Sequence, residues 1–223
     1  MRAKRDLRGI GLLLAILVAS ALPPARAAAP EKEEIVNQLG RFDTAPDLDI
    51  AAMRQKVLER SKSRSRNEPE PSKRPLIVPE LVGLPTFTVD IRFDTDTPVV
   101  RPESYQTVGR IADALVNAAL LPYSFLVIGH TDSNGRREAN VLLSQRRADA
   151  IRDVLVNTFK ISSKRIQSLG LGEEQFIDQA HPTSPVNQQI QILTIAKVPE
   201  QSEPPAQAAT PSSAAKKKSA KKR

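Results

Sequence analysis

Phe125-Leu126-Val127-Ile128-Gly129-His130-Thr131-Asp132-Ser133-Asn134-Gly135 is the stretch that organises this chain. Its first four residues are a short apolar run of the kind that forms a buried strand. Ser133-Asn134-Gly135 is a turn signal, since Asn and Gly tolerate the backbone angles that tight turns need. Downstream come Asn140, Leu143-Ser144 and Arg146-Arg147-Ala148. An acid in a tight loop with basic residues about four turns of helix further on suggests a pocket for a small zwitterion.

Working outward, the apolar pattern alternates between two periods. Phe87, Val89, Ile91 and Phe93 recur at period two, as in a half-buried strand. Pro102 suits a first helical position, with Glu103 in the turn where the helix dipole favours acid. Val108, Ile111, Ala112, Leu115 and Ala119 then mark a helical stripe. A second helix is expected from about Arg137 to Phe159, with Leu142, Leu143, Ala150, Ile151, Val154 and Leu155 facing the core. Ile166 to Leu171 reads as a strand, and Ile190, Ile192, Thr194 and Ala196 alternate as a final one. The order predicts an α/β fold, a βαβαββ layer with helices packed on a small mixed sheet.

The ends have other compositions. Arg2, Lys4, Arg5 and Arg8 precede an apolar run from Ile10 to Leu22, then Pro23-Pro24 and Ala25-Arg26-Ala27. That is the pattern of a secretory signal peptide over 1–27, and its run is short of the roughly 20 residues of a membrane span. The chain has no cysteine, which leaves neither a disulfide nor a thiol for acylation. Residues 28–60 form a short N-terminal segment. Within it Ile50, Met53, Val57 and Leu58 predict an amphipathic helix over 47–60, resting on its own domain or offered to an envelope protein partner. Residues 61–74 carry no aliphatic or aromatic side chain, so 61–84 is expected to be a disordered linker. The main domain is expected over 85–198. From 199 to 223 the chain is rich in Pro, Ala, Ser and Lys and reads as a disordered basic tail. Six positive charges between Lys216 and Arg223 would serve as an electrostatic tether to anionic envelope surfaces.

The net charge of +8 does not point to nucleic acid. Residues 1–27 hold five Lys/Arg and one Asp, and 200–223 hold six Lys/Arg and two Glu, so the body between them is neutral. A nucleic-acid-binding domain carries its basic patch on the folded body. With no cysteine, thiol catalysis is excluded, and with only His130 and His181 as histidines no histidine-based metal site is expected. The sequence predicts no enzyme, metal or cofactor. Residues 28–84 are too short and polar for a transmembrane barrel, whose strands need about 10 residues each.

Periodicity leaves the key residues open. Asp132 can bond the amides of its own turn. Arg146 and Arg147 each stand four residues from apolar positions on either side, and spacing does not say which points inward. His130, beside a strand end, reads as packed rather than functional.

A resemblance sharpens the choice. From about Phe87 to Val198 the chain resembles the OmpA-like domain family, shared by outer-membrane anchors, peptidoglycan-associated lipoproteins and flagellar stator proteins. The matching residues are Ile91-Arg92-Phe93-Asp94-Thr95-Asp96-Thr97, Val100 and Pro102, then Gly129-His130-Thr131-Asp132, Gly135, Asn140, Leu143-Ser144 and Arg147-Ala148. Val156, Arg165-Ile166 and Gly170-Leu171-Gly172 add to them. The resemblance implies non-catalytic binding of peptidoglycan through diaminopimelate, in the periplasm or at the outer membrane. Asp132 would take the ammonium and Arg147 the carboxylate, with Asn140 beside them and Thr131, Asp96 and Thr97 as further site residues. An Asp accepts from an ammonium, and a planar guanidinium fork holds a carboxylate with two parallel bonds. One position departs from the family. An arginine pair usually precedes its last strand, and here Asn187-Gln188-Gln189 stands there. Either binding is weaker, or the domain serves as a periplasmic adaptor with vestigial peptidoglycan contact.

Overall fold

The computed structural model describes residues 30–42, 46, 48–63, 69, 70 and 73–197. The expected leader over 1–27 and tail over 199–223 lie outside the described residues, as do 64–68, 71 and 72 of the expected linker. Two helices, α1 (Lys32–Leu39) and α2 (Ile50–Lys62), come first. There follow β1 (Thr86–Val89), α3 (Tyr105–Leu115), β2 (Tyr123–His130), α4 (Arg137–Asp153), β3 (Ile166–Gly172) and β4 (Ile190–Lys197). Among the described residues the strands form one mixed sheet in the order β1-β4-β2-β3. β4 runs antiparallel to both neighbours, and β2 and β3 are parallel. The expected βαβαββ order is the observed one.

Both faces of the sheet are covered, and the alternation of side chains along a strand explains how. Phe125 and Val127 of β2, with Phe87, Val89, Ile190 and Ile192, join Val108, Ile111 and Leu115 of α3 and Ile151 and Leu155 on one side. Ile35 and Leu39 of α1 close that cluster. Leu126 and Ile128, with Leu169, Leu171, Leu193 and Ile195, face the other way and meet Ile50, Met53 and Val57 of α2. The apolar side of α2 is thus occupied by its own sheet. Its start is capped by Asp49, whose side chain accepts from Ala52 N at 2.9 Å. Arg54 Nη2 donates to Ser168 O at 2.8 Å, tying α2 to β3.

Residues 75–84 differ from the expectation of a linker. Ile77, Val78 and Leu81 are buried in the α2 cluster. The reason is plain: α2 alone leaves part of that sheet face open, and this short apolar run completes the cover.

The face of α4 differs too. Leu142 is 43% exposed, whereas Asn140, Val141, Ser144, Arg147, Ala148 and Ile151 are buried. The helix lies so close to the sheet that an added Cβ at Gly129 would stand 2.2 Å from Ser144 O, and one at Gly170 2.2 Å from Gln145 N. Both are backbone atoms, so these strand positions must be glycine. Small and polar residues fit such a contact better than leucine, which is why counting apolar residues misplaced the stripe. After Asp153 the helix relaxes into a π turn over Val154–Thr158. Arg165 gathers the end of the α3 segment, donating to the carbonyls of Leu115, Leu120 and Tyr123 at 2.8–3.0 Å.

Candidate functional site

The turn after β2 holds Asp132 at 8% exposure. Its Oδ1 accepts from Asn134 N at 3.1 Å, and its Oδ2 accepts from Asn134 Nδ2 at 2.9 Å and Gln188 Nε2 at 2.7 Å. Asp132 therefore does serve its own loop, and it also reaches across to the segment before β4. Gly135, with φ of 93°, lets the chain turn back toward α4.

Arg147 is the inward arginine, and Arg146 is exposed. The guanidinium of Arg147 lies 5.0 Å from the centre of the Phe93 ring, and its Nε donates to Thr97 O at 3.1 Å. Burial pushes its pKa below the ordinary arginine value, while the charges of Asp96 and Asp132 raise it in part. Two acids thus act on one buried cation. Asp96, in the left-handed region at φ of 54°, is exposed on the loop that brings Thr97 O to Arg147. Arg146→Ala is accordingly expected to change ligand binding by no more than about twofold, the usual range for an exposed side chain. Titration against soluble muropeptide checks this, and a loss equal to that of Arg147→Ala would show that the register is misread.

Asn140 faces the loop. Its Nδ2 donates to Asp132 O at 3.2 Å, Asn134 O at 2.9 Å and Glu173 Oε2 at 2.8 Å. Its observed part is to shape the turn that presents Asp132. Thr131 is buried, and among the described residues its Oγ1 has no hydrogen-bond partner. Buried hydroxyls seldom go without one.

Beyond these lies a cleft of about 400 Å³, lined among others by Arg92, Phe93, Arg101, Arg147, Gln188 and Gln189. It falls in the volume range of small-ligand pockets, roughly 300–1,000 Å³. Arg92 lies 3.6 Å from Asp90, and Arg101 3.1 Å from Asp94.

Sequence reasoning missed the supports of this site. Glu173 holds Asn140 and pairs with Arg74 Nη1 at 3.3 Å. Glu174, whose side chain is fully buried, pairs with Arg60 Nε at 3.2 Å and with the fork of Arg137. Asn187 is fully buried and bonds Asp178, His181 and Pro182, ordering the loop between β3 and β4. Pro182 O in turn accepts from Ser133 N at 3.0 Å. The adjacent acids Glu173-Glu174, directly after Gly170-Leu171-Gly172, were the available signal.

His130 is buried, its ring bonded to Gln175 O at 2.9 Å and Gln191 Oε1 at 3.0 Å. Desolvation holds its pKa below the ordinary 6.5, with those two bonds opposing in part. The unfolded chain then binds a proton more readily than the folded one. This contribution to stability is complete above the ordinary value and declines as pH falls below it. Urea unfolding at about pH 7.5 and about pH 5 should show a smaller acid loss for His130→Gln than for the parent.

Residues 92–190 match the model of the OmpA family. The chain carries an OmpA-family domain. Over 97 residues it is 36% identical to outer membrane porin F of Pseudomonas aeruginosa, covering 44% of this chain and 27% of that protein. Over 93 residues it is 38% identical to the peptidoglycan-associated lipoprotein of Mesorhizobium japonicum, covering 40% of this chain and 54% of that one. The chain spans no more than about half the length of these curated relatives. Among solved structures it is similar to the peptidoglycan-associated lipoprotein from Burkholderia pseudomallei, at 23% identity and a TM-score of 0.38, over 49% of this chain and 88% of that one. The OmpA-family match contains Asp132, Arg147, Gln188 and the supports from Glu173 to Asn187, but not α1, α2 or β1. Among the described residues no helix is long and apolar enough to cross a membrane.

Proposed function

We propose that this domain binds peptidoglycan without catalysing a reaction, by gripping the diaminopimelate of the stem peptide between Asp132 and Arg147. The observation that carries the reading is electrostatic. One buried cation and one buried acid from different elements lie within Coulombic reach of each other. A zwitterion presents the complementary pair of charges. The cleft beside Arg147 has the volume for such a group. Asn140 then contributes by fixing the loop, and Asp96 and Thr97 by setting the position and charge of Arg147. The relatives named as peptidoglycan-associated support the same class of ligand. In this reading residues 1–27 export the chain to the periplasm, and the basic tail adds retention at anionic surfaces of the envelope.

The test is sedimentation of the purified protein with isolated sacculi, with and without soluble diaminopimelate. Co-sedimentation that the competitor reverses is expected. Protein that remains in the supernatant, or binding that the competitor leaves untouched, overturns the assignment. One observation favours a second reading, an adaptor whose peptidoglycan contact is weakened: Gln188 already bonds the acid that would take the ammonium.

A further inference from the structure

Gln188 occupies a position on Asp132 that its neighbours cannot vacate. Each carboxylate oxygen has two lone pairs to offer. Oδ2 of Asp132 accepts from both Asn134 Nδ2 and Gln188 Nε2, so it is saturated, while Oδ1 accepts from Asn134 N. Asn134 is held in place, since its carbonyl accepts from Asn140, which is anchored in turn on buried Glu173. Asn134 and Gln188 are both exposed, but Asn134 gives Asp132 two bonds from within the same turn, whereas Gln188 gives one, from the end of the separate turn Pro185–Gln188, and lines the cleft together with Arg147. Opening the bond from Gln188 breaks a single contact between two segments and leaves an exposed amide that water can take over.

We propose that Gln188 is a specificity-determining latch, whose amide stands in for an ammonium on Asp132 Oδ2 until a cationic ligand displaces it. This rests on the reading of the site as a zwitterion pocket. With the latch closed, the cleft offers Arg147, Arg92 and Arg101 to a carboxylate and nothing free on Oδ2 to an ammonium. A ligand that carries only the carboxylate enters without disturbing Gln188. Unless it displaces the amide, a zwitterion has only the second lone pair of Oδ1 for its ammonium, so it gains less from its positive charge than an open Asp132 would give it. The domain therefore discriminates weakly between a free and a blocked amine, and the residue at position 188 sets how weakly.

The experiment compares the full chain with Gln188→Ala, using a soluble stem peptide that ends in diaminopimelate and the same peptide acetylated on its free amine. Gln188→Ala is expected to bind the free-amine peptide about threefold to tenfold more tightly, the range of one modest hydrogen bond, with the acetylated peptide unchanged. Weaker or equal binding of the free-amine peptide by the variant overturns the latch, because Gln188 would then be a ligand contact or a bystander. A second measurement needs no ligand. The side-chain amide signals of Gln188 in a ¹⁵N–¹H spectrum should move on Asp132→Asn. Signals that stay in place overturn the latch whatever the peptides do. Failure of both proteins to bind either peptide, with the amide signals moving as expected, would instead overturn the peptidoglycan reading.

Discussion

Asp132→Ala and Arg147→Ala are each expected to lower affinity for sacculi by roughly tenfold to a hundredfold, the worth of one charge-assisted contact of about 1.5–3 kcal/mol. The double variant should be little worse than either single one, since both residues act on one ligand. The structure sets the controls. Asp132 also bonds Asn134 and Gln188, and Arg147 covers Phe93 and holds Thr97 O, so alanine at either place loosens a loop. Asp132→Asn and Arg147→Lys keep most of the volume and separate loosening from recognition. Lysine retains the charge but not the flat fork that pairs with a carboxylate, so Arg147→Lys should bind nearly as poorly as alanine while melting close to the parent. Sedimentation and thermal unfolding of the same preparations check this. Parental binding by Asp132→Ala or Arg147→Ala would sink the assignment.

Glu174→Ala is expected to cost about 3–5 kcal/mol of folding stability, the usual penalty for removing one partner of a buried ion pair. The side chain of Glu174 is fully shielded, and its carboxylate receives the fork of Arg137 and Nε of Arg60. Those side chains are themselves mostly shielded, at 12% and 22% exposure. Without the carboxylate they lose a principal compensation for their desolvation, while Arg60 still donates to Pro75 O and Arg137 to Ser63 O. The loss should shrink in Glu174→Ala combined with Arg137→Ala, because one of the two cations facing the missing carboxylate is then removed as well. Urea midpoints measure both. A loss under about 1 kcal/mol for the single variant would mean that water reaches this cluster and carries the charge.

Particular residues show what the sequence made legible. The order of strands and helices followed from a change of period, two at Phe87–Phe93 and near 3.6 at Val108–Leu115, and the sheet bears it out. β4 was read by its alternation at Ile190, Ile192 and Thr194, yet Leu193 and Ile195 between them are also buried. A nearly continuous apolar strand is the mark of a sheet covered on both faces, and here α2 supplies the second cover. Arg147 over Arg146 could not be chosen by spacing, since the inward side of α4 is built from Asn140, Ser144 and Ala148 against glycine backbone. The family resemblance selected it, and the burial of Arg147 agrees. The bond from Gln188 to Asp132 spans 56 positions, and no local pattern encodes a contact of that kind.

The second sheet face bears on what can be transplanted. A segment cut at the family limits, 92–190, would travel without β1, without most of β4 and without the cover that Ile50, Met53, Val57, Ile77 and Val78 give to Leu126 and Ile128. It would also leave Arg60 and Arg74 behind, and with them part of the pairing of Glu173 and Glu174. The heritable unit recognised by sequence and the unit that can be moved into another protein are therefore different pieces of this chain. A graft that begins at α1 carries its own lining, whereas one that begins at residue 92 must borrow a helix from its host.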